Sequence, residues 1–387
     1  MHNTAGSPNA RSSRRDFFRT LTRTTLGGAS ILELAYHRAA WARALAPVSD
    51  TRLFDIERVA DGVYLARARM QAQINCNAAI FVRSADVLVV DSHSKPSAAA
   101  SLIAQIRRDV TPRPVRYVVN SHFHWDHTQG NHAYRDAETK VDFIASEPTK
   151  QLMSDLAEKR LKESLAAVPQ QIDALRARAS NVRSEAEKAF CEEQIRQLRS
   201  YQAELQNYTP ELPTITFEKS YVLKNKALDL HIEFHGHAHT AGDVVVFCPQ
   251  KRAIATGDMI MGLIPFIADG FPKSWPTTID SVGHLEFSQI LPGHGPLQTN
   301  RQRMTDQRNY IEELTEQVAA AKKAGKSLAD LQKTITLNSL KSMQSDGYAG
   351  YLAMNHARLL PDSDPAAPLQ NALKANIADV YKNLDRV

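Results

Sequence analysis

Cysteine is scarce. The 387 residues hold three, Cys76, Cys191 and Cys248, and no C-x-x-C pair. An odd, sparse set provides neither a disulfide framework nor a thiolate zinc site. Cys76 and Cys248 lie in apolar runs and Cys191 in a helical stretch, so buried thiols are expected. No apolar stretch is long enough for a stable membrane span. A Gly-x-Ser-x-Gly elbow and a Walker-type phosphate loop are both missing, which removes two common signatures of nucleophilic and nucleotide chemistry. Charge of one sign is also lacking over most of the chain. The formal net charge is +5, but residues 1–46 hold seven arginines against Asp16 and Glu33, and the remaining 40 basic and 40 acidic residues cancel. A neutral body gives no electrostatic reason to expect nucleic acid as substrate.

Apolar residues make up 43% and charged residues 23%, ordinary values for a globular protein whose length allows one large domain or two small ones. Ser13-Arg14-Arg15-Asp16-Phe17-Phe18-Arg19 resembles the twin-arginine export consensus. A modestly apolar segment follows over 21–35, with small-residue cleavage candidates at Ala40-x-Ala42 and Ala42-x-Ala44. Residues 1–46 are therefore expected to be a signal peptide and the mature protein to be periplasmic or secreted.

From 52 to 91 the pattern is β, with short apolar runs at 63–66, 78–82 and 87–90. Helical spacing over 96–108 is followed by strand patterns at 115–119 and 141–145, and strands alternating with helices imply α/β layering. The stretch 149–208 breaks this alternation. Leu152, Leu156, Leu161, Leu165, Val168, Ile172 and Leu175 recur at mostly helical steps, and the spacing predicts two or three amphipathic helices. Such an insertion is either a helical pair packed on the core, or a lid or homodimer contact. Strand patterns return at 228–234, 244–247, 253–255 and 288–291. Residues 301–387 are again helical, with Gly325 ending the first helix.

The chemistry concentrates in Asn120-Ser121-His122-Phe123-His124-Trp125-Asp126-His127, where three histidines and an aspartate fall within six residues. Imidazole and carboxylate suit zinc and similar divalent ions. His122 and His124 are two apart and can reach one metal from one side of an extended segment. Asp126 and His127 are adjacent and must diverge, which points to a second metal beside the first. Asp91, His122, His239, Asp258 and His294 each lie just past an apolar run, and ligands of layered α/β proteins gather outside the carboxyl ends of strands.

His122-x-His124-x-Asp126-His127 resembles the signature of the metallo-β-lactamase superfamily. Asp91, His239 in Ala238-His239-Thr240-Ala241-Gly242-Asp243, Asp258 in Thr256-Gly257-Asp258 and His294 in Pro292-Gly293-His294-Gly295 resemble its other motifs, in order, across residues 52–300. The resemblance implies a four-layer αβ/βα sandwich over 52–300, with a helical insertion at 149–208 and a helical extension at 301–387 like that of some exported members. It implies that His122, His124 and His239 hold one zinc, that Asp126, His127 and His294 hold a second, and that Asp258 bridges them. Asp91 orients a ligand from behind. His235 and His237 alternate with His239, and only the residues after His239 match the family.

The implied reaction is hydrolysis. Hydroxide held between two zinc ions attacks a carbonyl, and Asp126 orients it and takes its proton. A small cyclic or activated substrate is expected: a β-lactam, a lactone or a thioester. A mononuclear iron sulfur-dioxygenase and a phosphodiesterase of the same superfamily are the alternatives. The apolar stretch 259–267, with Met261, Ile264 and Phe266, is either core or pocket wall; together with Trp125 and Phe271 it is the candidate lining of a partly hydrophobic pocket.

Overall fold

The computed structural model of the chain describes residues 52–69, 76–138, 140–182, 185–359 and 367–386. The expected signal peptide lies outside them. Two sheets form the centre. The first runs β1 (Phe54–Ala60), β2 (Val63–Ala68), β3 (Ala78–Val82), β4 (Val87–Val90), β5 (Val115–Val119), β6 (Asp142–Ser146) and β7 (Ile215–Phe217), in that order. It is antiparallel up to β4 and parallel from β4 to β7. The second has the order β12 (Gln289–Pro292), β11 (Ala253–Gly257), β10 (Val244–Cys248), β9 (Leu230–Phe234) and β8 (Ser220–Leu223).

Central strands are apolar on both faces because both faces are covered. In β4, Leu88 and Val90 face the second sheet while Val87 and Val89 face the outer helices. In β10, Val244 and Val246 join the inter-sheet core while Val245 and Phe247 point to the opposite helical layer. The helix α1 (Pro96–Gln105) and, beyond the four-residue α2 (Trp125–Thr128), the helix α3 (Asn131–Ala137) cover the first sheet. The other sheet is covered by α6 (Trp275–Val282), α7 (Gln302–Lys323), α8 (Leu328–Thr334), α9 (Lys341–Gln344), α10 (Tyr348–Leu359) and α11 (Ala367–Asn383). The layers are therefore αβ/βα, as the family resemblance implies.

The helices beyond residue 300 share one hydrophobic core with α6 and the second sheet. The stretch 149–208 is a helical pair, α4 (Glu147–Asn181) and α5 (Glu185–Leu205), with its own small cluster of Leu161, Val168, Ile172, Leu198, Tyr201 and Leu205. The short strands β7 and β8 and the helix α6 had no clear sequence pattern. Among the described residues, no helix is long and apolar enough to cross a membrane.

Candidate metal centre

The loops leaving β4, β5, β11 and β12 and the loop between β9 and β10 converge at one edge of the two sheets. They bring His122, His124, His239, Asp126, His127, Asp258 and His294 together. His124 Nδ1 and His239 Nε2 stand 2.9 Å apart. Asp126 Oδ2 lies 3.0 Å from His294 Nε2 and 3.4 Å from His127 Nε2. Asp258 Oδ2 sits between the two halves, 3.8 Å from His239 Nε2 and 3.5 Å from both His127 Nε2 and His294 Nε2.

Four rings are tied on their outer side. His122 Nδ1 is 3.0 Å from Ser121 Oγ, whose hydroxyl donates to Asp91 Oδ2. His127 Nδ1 donates to Asp91 Oδ2 at 2.7 Å, His239 Nδ1 to the Phe266 carbonyl at 3.0 Å, and His124 Nε2 to Asp269 Oδ2 at 2.8 Å. Each bond selects the tautomer that leaves the inward nitrogen free to bind a cation. His122 Nε2, His127 Nε2 and Asp258 Oδ1 are buried with no hydrogen-bond partner. Buried polar atoms are ordinarily paired, so two unpartnered imidazole nitrogens in a cluster that also holds the Asp258 carboxylate fit a bound divalent ion, and this donor set suits zinc.

Electrostatics agree with that fit at His122, His239, Asp258 and Asp126, whereas at His127 and His294 burial is outweighed by the neighbouring carboxylates, which raise the imidazole. Burial and the neighbouring imidazoles, His127 first, hold His122 well below the usual histidine range, and burial with His124 brings His239 down to about 3. Both are neutral at pH 7. Burial works to raise the Asp258 carboxyl, but His294, His127 and His239 outweigh it and keep it ionised. At Asp126 the same opposition is won by His127 and His294. Cys76 also lies within reach of Asp91 and His127. Burial pushes its thiol up to about 12, and the His127 nitrogen on that side already donates to Asp91, so this corner is packing around the site rather than another cation site.

The local backbone is shaped for convergence. Asp91 and His93, directly after β4, take φ of 67° and 76°, left-handed values rare for residues with side chains. A Cβ on Gly293 would run into the Asp258 carboxylate, so only glycine lets the His294 turn come this close. Asn77 Nδ2 holds that turn by donating to the carbonyls of Pro292 and Gly295 at 3.0 and 2.8 Å.

The expected pocket residues separate. Phe266 is 51% exposed, its ring 5.8 Å from that of His124 and 6.2 Å from that of His239. Trp125 packs on the hairpin, 5.7 Å from Tyr201. Met261 is buried, and Ile264 is 5% exposed inside the C-terminal core. Phe271 is buried against His237 at 4.5 Å. The stretch 259–267 is thus core over most of its length, with one ring on the metal side. His235 bonds Glu233 and Ser281, away from the centre. Sequence reasoning missed Ser121, Asn77 and Asp269, and also Arg160 of α4, which donates two bonds to Asp269 at 2.7 and 2.8 Å.

The sequence model described as Metallo-beta-lactamase superfamily matches residues 73–294. The chain belongs to the metallo-β-lactamase superfamily. No curated protein matches it. Among solved structures, the superfamily chain is similar to the stereoselective inverting sec-alkylsulfatase Pisa1 from Pseudomonas sp. The TM-score is 0.62 at 16% identity, over 89% of this chain and 54% of that one. It is also similar to the metallo-beta-lactamase from Pontibacter korlensis, with TM-score 0.48 at 16% identity over 66% and 97% of the two chains. For the FIM-1 enzyme from Pseudomonas aeruginosa in its mono-zinc form the TM-score is 0.47 at 18% identity, over 67% and 95%. At such identities the likeness is one of fold.

Proposed function

We propose that this superfamily hydrolase carries two zinc ions and cleaves a small cyclic or activated carbonyl compound, a β-lactam, lactone or thioester. The observation that carries the reading is the set of inward donor atoms left without hydrogen bonds while their rings are anchored outside. His122, His124 and His239 would hold one ion, Asp126, His127 and His294 the other, with Asp258 shared. Ions so held supply Lewis acidity and bring the pKa of a nearby water toward ~7. The ionised Asp126 carboxylate orients the attacking water and accepts its proton. Asp91 and Ser121 fix the rings of His127 and His122 throughout. Phe266 would offer an apolar surface to a substrate beside the rings of His124 and His239.

The test is a panel of β-lactams, lactones, thioesters, phosphodiesters and a secondary alkyl sulfate, each with and without chelator. The sulfate is included because the likeness to the alkylsulfatase extends over 89% of this chain. Hydrolysis of a carbonyl substrate should vanish with chelator and in His122→Ala and Asp258→Ala. Turnover of phosphodiesters or sulfates alone overturns the substrate reading. Iron in protein produced without added zinc favours the dioxygenase alternative. We also propose export directed by residues 1–46, which intact N-termini on cytoplasmic protein would refute.

A further inference from the structure

Between β6 and β7 the superfamily core is interrupted by the α4–α5 hairpin, and its contacts with the metal loop are specific. Ser146 caps α4, and the hydroxyls of Ser146 and Thr149 both donate to the Gly242 carbonyl, at 2.6 and 2.8 Å, three residues past His239. Arg160 lies 13 residues into the helix, about 20 Å along its axis. There its guanidinium forks onto both oxygens of Asp269 and lies 4.9 Å over the ring of Phe123, the residue between His122 and His124. Asp269 in turn accepts from His124 Nε2 at 2.8 Å. On the second helix, Tyr201 donates to Gln129 and packs on Trp125, while Lys95 donates to Gln197 and Ser200.

We infer that the hairpin is a brace for the metal loop, not a lid, and that Arg160 is a positioning residue which sets the ring of His124 through Asp269. The reasoning is geometric. A carboxylate on a loop can rotate away from an imidazole, whereas a planar fork engaging both oxygens fixes its plane. Through that plane the helix fixes the direction of His124 Nδ1 toward His239. The inference rests on the metal-centre reading above and adds that the insertion tunes metal affinity.

Zinc affinity by competition with a chromophoric chelator, and the visible spectrum of the cobalt-substituted protein, test it. Asp269→Asn should weaken binding about 10–100-fold, the range typical of groups that orient a metal ligand. Arg160→Gln should weaken it in the same direction by about tenfold or less, shift the cobalt bands and leave thermal unfolding of the metal-free protein unchanged, since its side chain is 39% exposed. Arg160→Lys, with charge but no fork, should recover only part of the affinity. The double variant Arg160→Gln/Asp269→Asn should bind no more weakly than Asp269→Asn alone, because the arginine acts through the aspartate. Wild-type affinity and spectrum in Arg160→Gln overturn the inference, as does full additivity in the double variant. If Asp269→Asn fails to fold, the Arg160 pair still decides. Failure of the unaltered protein to take up zinc or cobalt refutes the metal-centre reading itself, an outcome distinct from normal uptake insensitive to Arg160.

Discussion

Two helical additions flank the sandwich, and they are joined to it in different ways. The C-terminal helices bury Tyr310, Leu314, Leu373, Ile377 and Val380 in one cluster with Trp275, Ile279 and the outer face of the second sheet. The α4–α5 hairpin keeps most of its apolar side chains for itself and meets the core where Trp125 of the metal loop packs on it and through a few polar contacts. The first shares the core of the second sheet; the second is an attached strut. Both nevertheless grip the segment after Asp258. From the C-terminal side, Asn355 donates to the Gly262 carbonyl, Asn376 to Pro265, and Asn383 to Ile267 and Ala268. The hairpin grips it at Asp269. A loop that carries a contact to a metal-site ring is thus held by two elements whose apolar side chains belong to different clusters.

Breaking the comparison starts with the cores. Leu373→Ala in α11 should destabilise the whole protein by about 2–5 kcal/mol, read as one shifted unfolding transition. A local effect confined to the last helix would show that the C-terminal layer folds apart from the sandwich. Leu198→Ala in α5 should cost about 2 kcal/mol but release only the hairpin, with faster amide exchange in α4 and α5 and the main transition in place. Movement of the main transition would make the strut part of the core after all. Asn383→Ala removes donors from two carbonyls and should cost about 1–2 kcal/mol, with exchange rising in residues 262–270. The last test is a pH dependence. Burial brings His356 down to about 4, and its Nε2 accepts from the Ile264 N–H at 3.2 Å. Between pH 6.5 and 4 the unfolded chain binds a proton that the folded chain excludes, so this contribution to stability is lost as pH falls through that window. His356→Gln should flatten the slope there; an unchanged slope would show that the imidazole does not contribute.

The ligand cluster was legible because five short motifs resemble, in order, those of the superfamily, and their first residues stand just past apolar runs that a layered fold gathers at one edge. Its supports were not legible. Asp269 reads as the polar end of an apolar loop, and Arg160 as one of many charges on a helix; only packing across 109 positions of chain makes them a pair. Asn77 lies 215 residues from the carbonyl it holds. The layered fold followed from alternating strands and helices, yet β7 and β8 are too short for a period to emerge. The stretch 259–267 shows the same limit. An apolar run looks alike whether it lines a cavity or fills a core, and the C-terminal helices that decide the matter lie about a hundred residues later.

Asp91 carries one more consequence. Its carboxylate takes the Ser121 N–H, the Ser121 hydroxyl and the His127 ring, so a single side chain steadies His122 through serine and His127 directly. Lengthening it by one methylene would displace both rings together. The rings of His122 and His127 cannot drift independently in a descendant of this sequence: retuning either one at this hinge point means renegotiating the other.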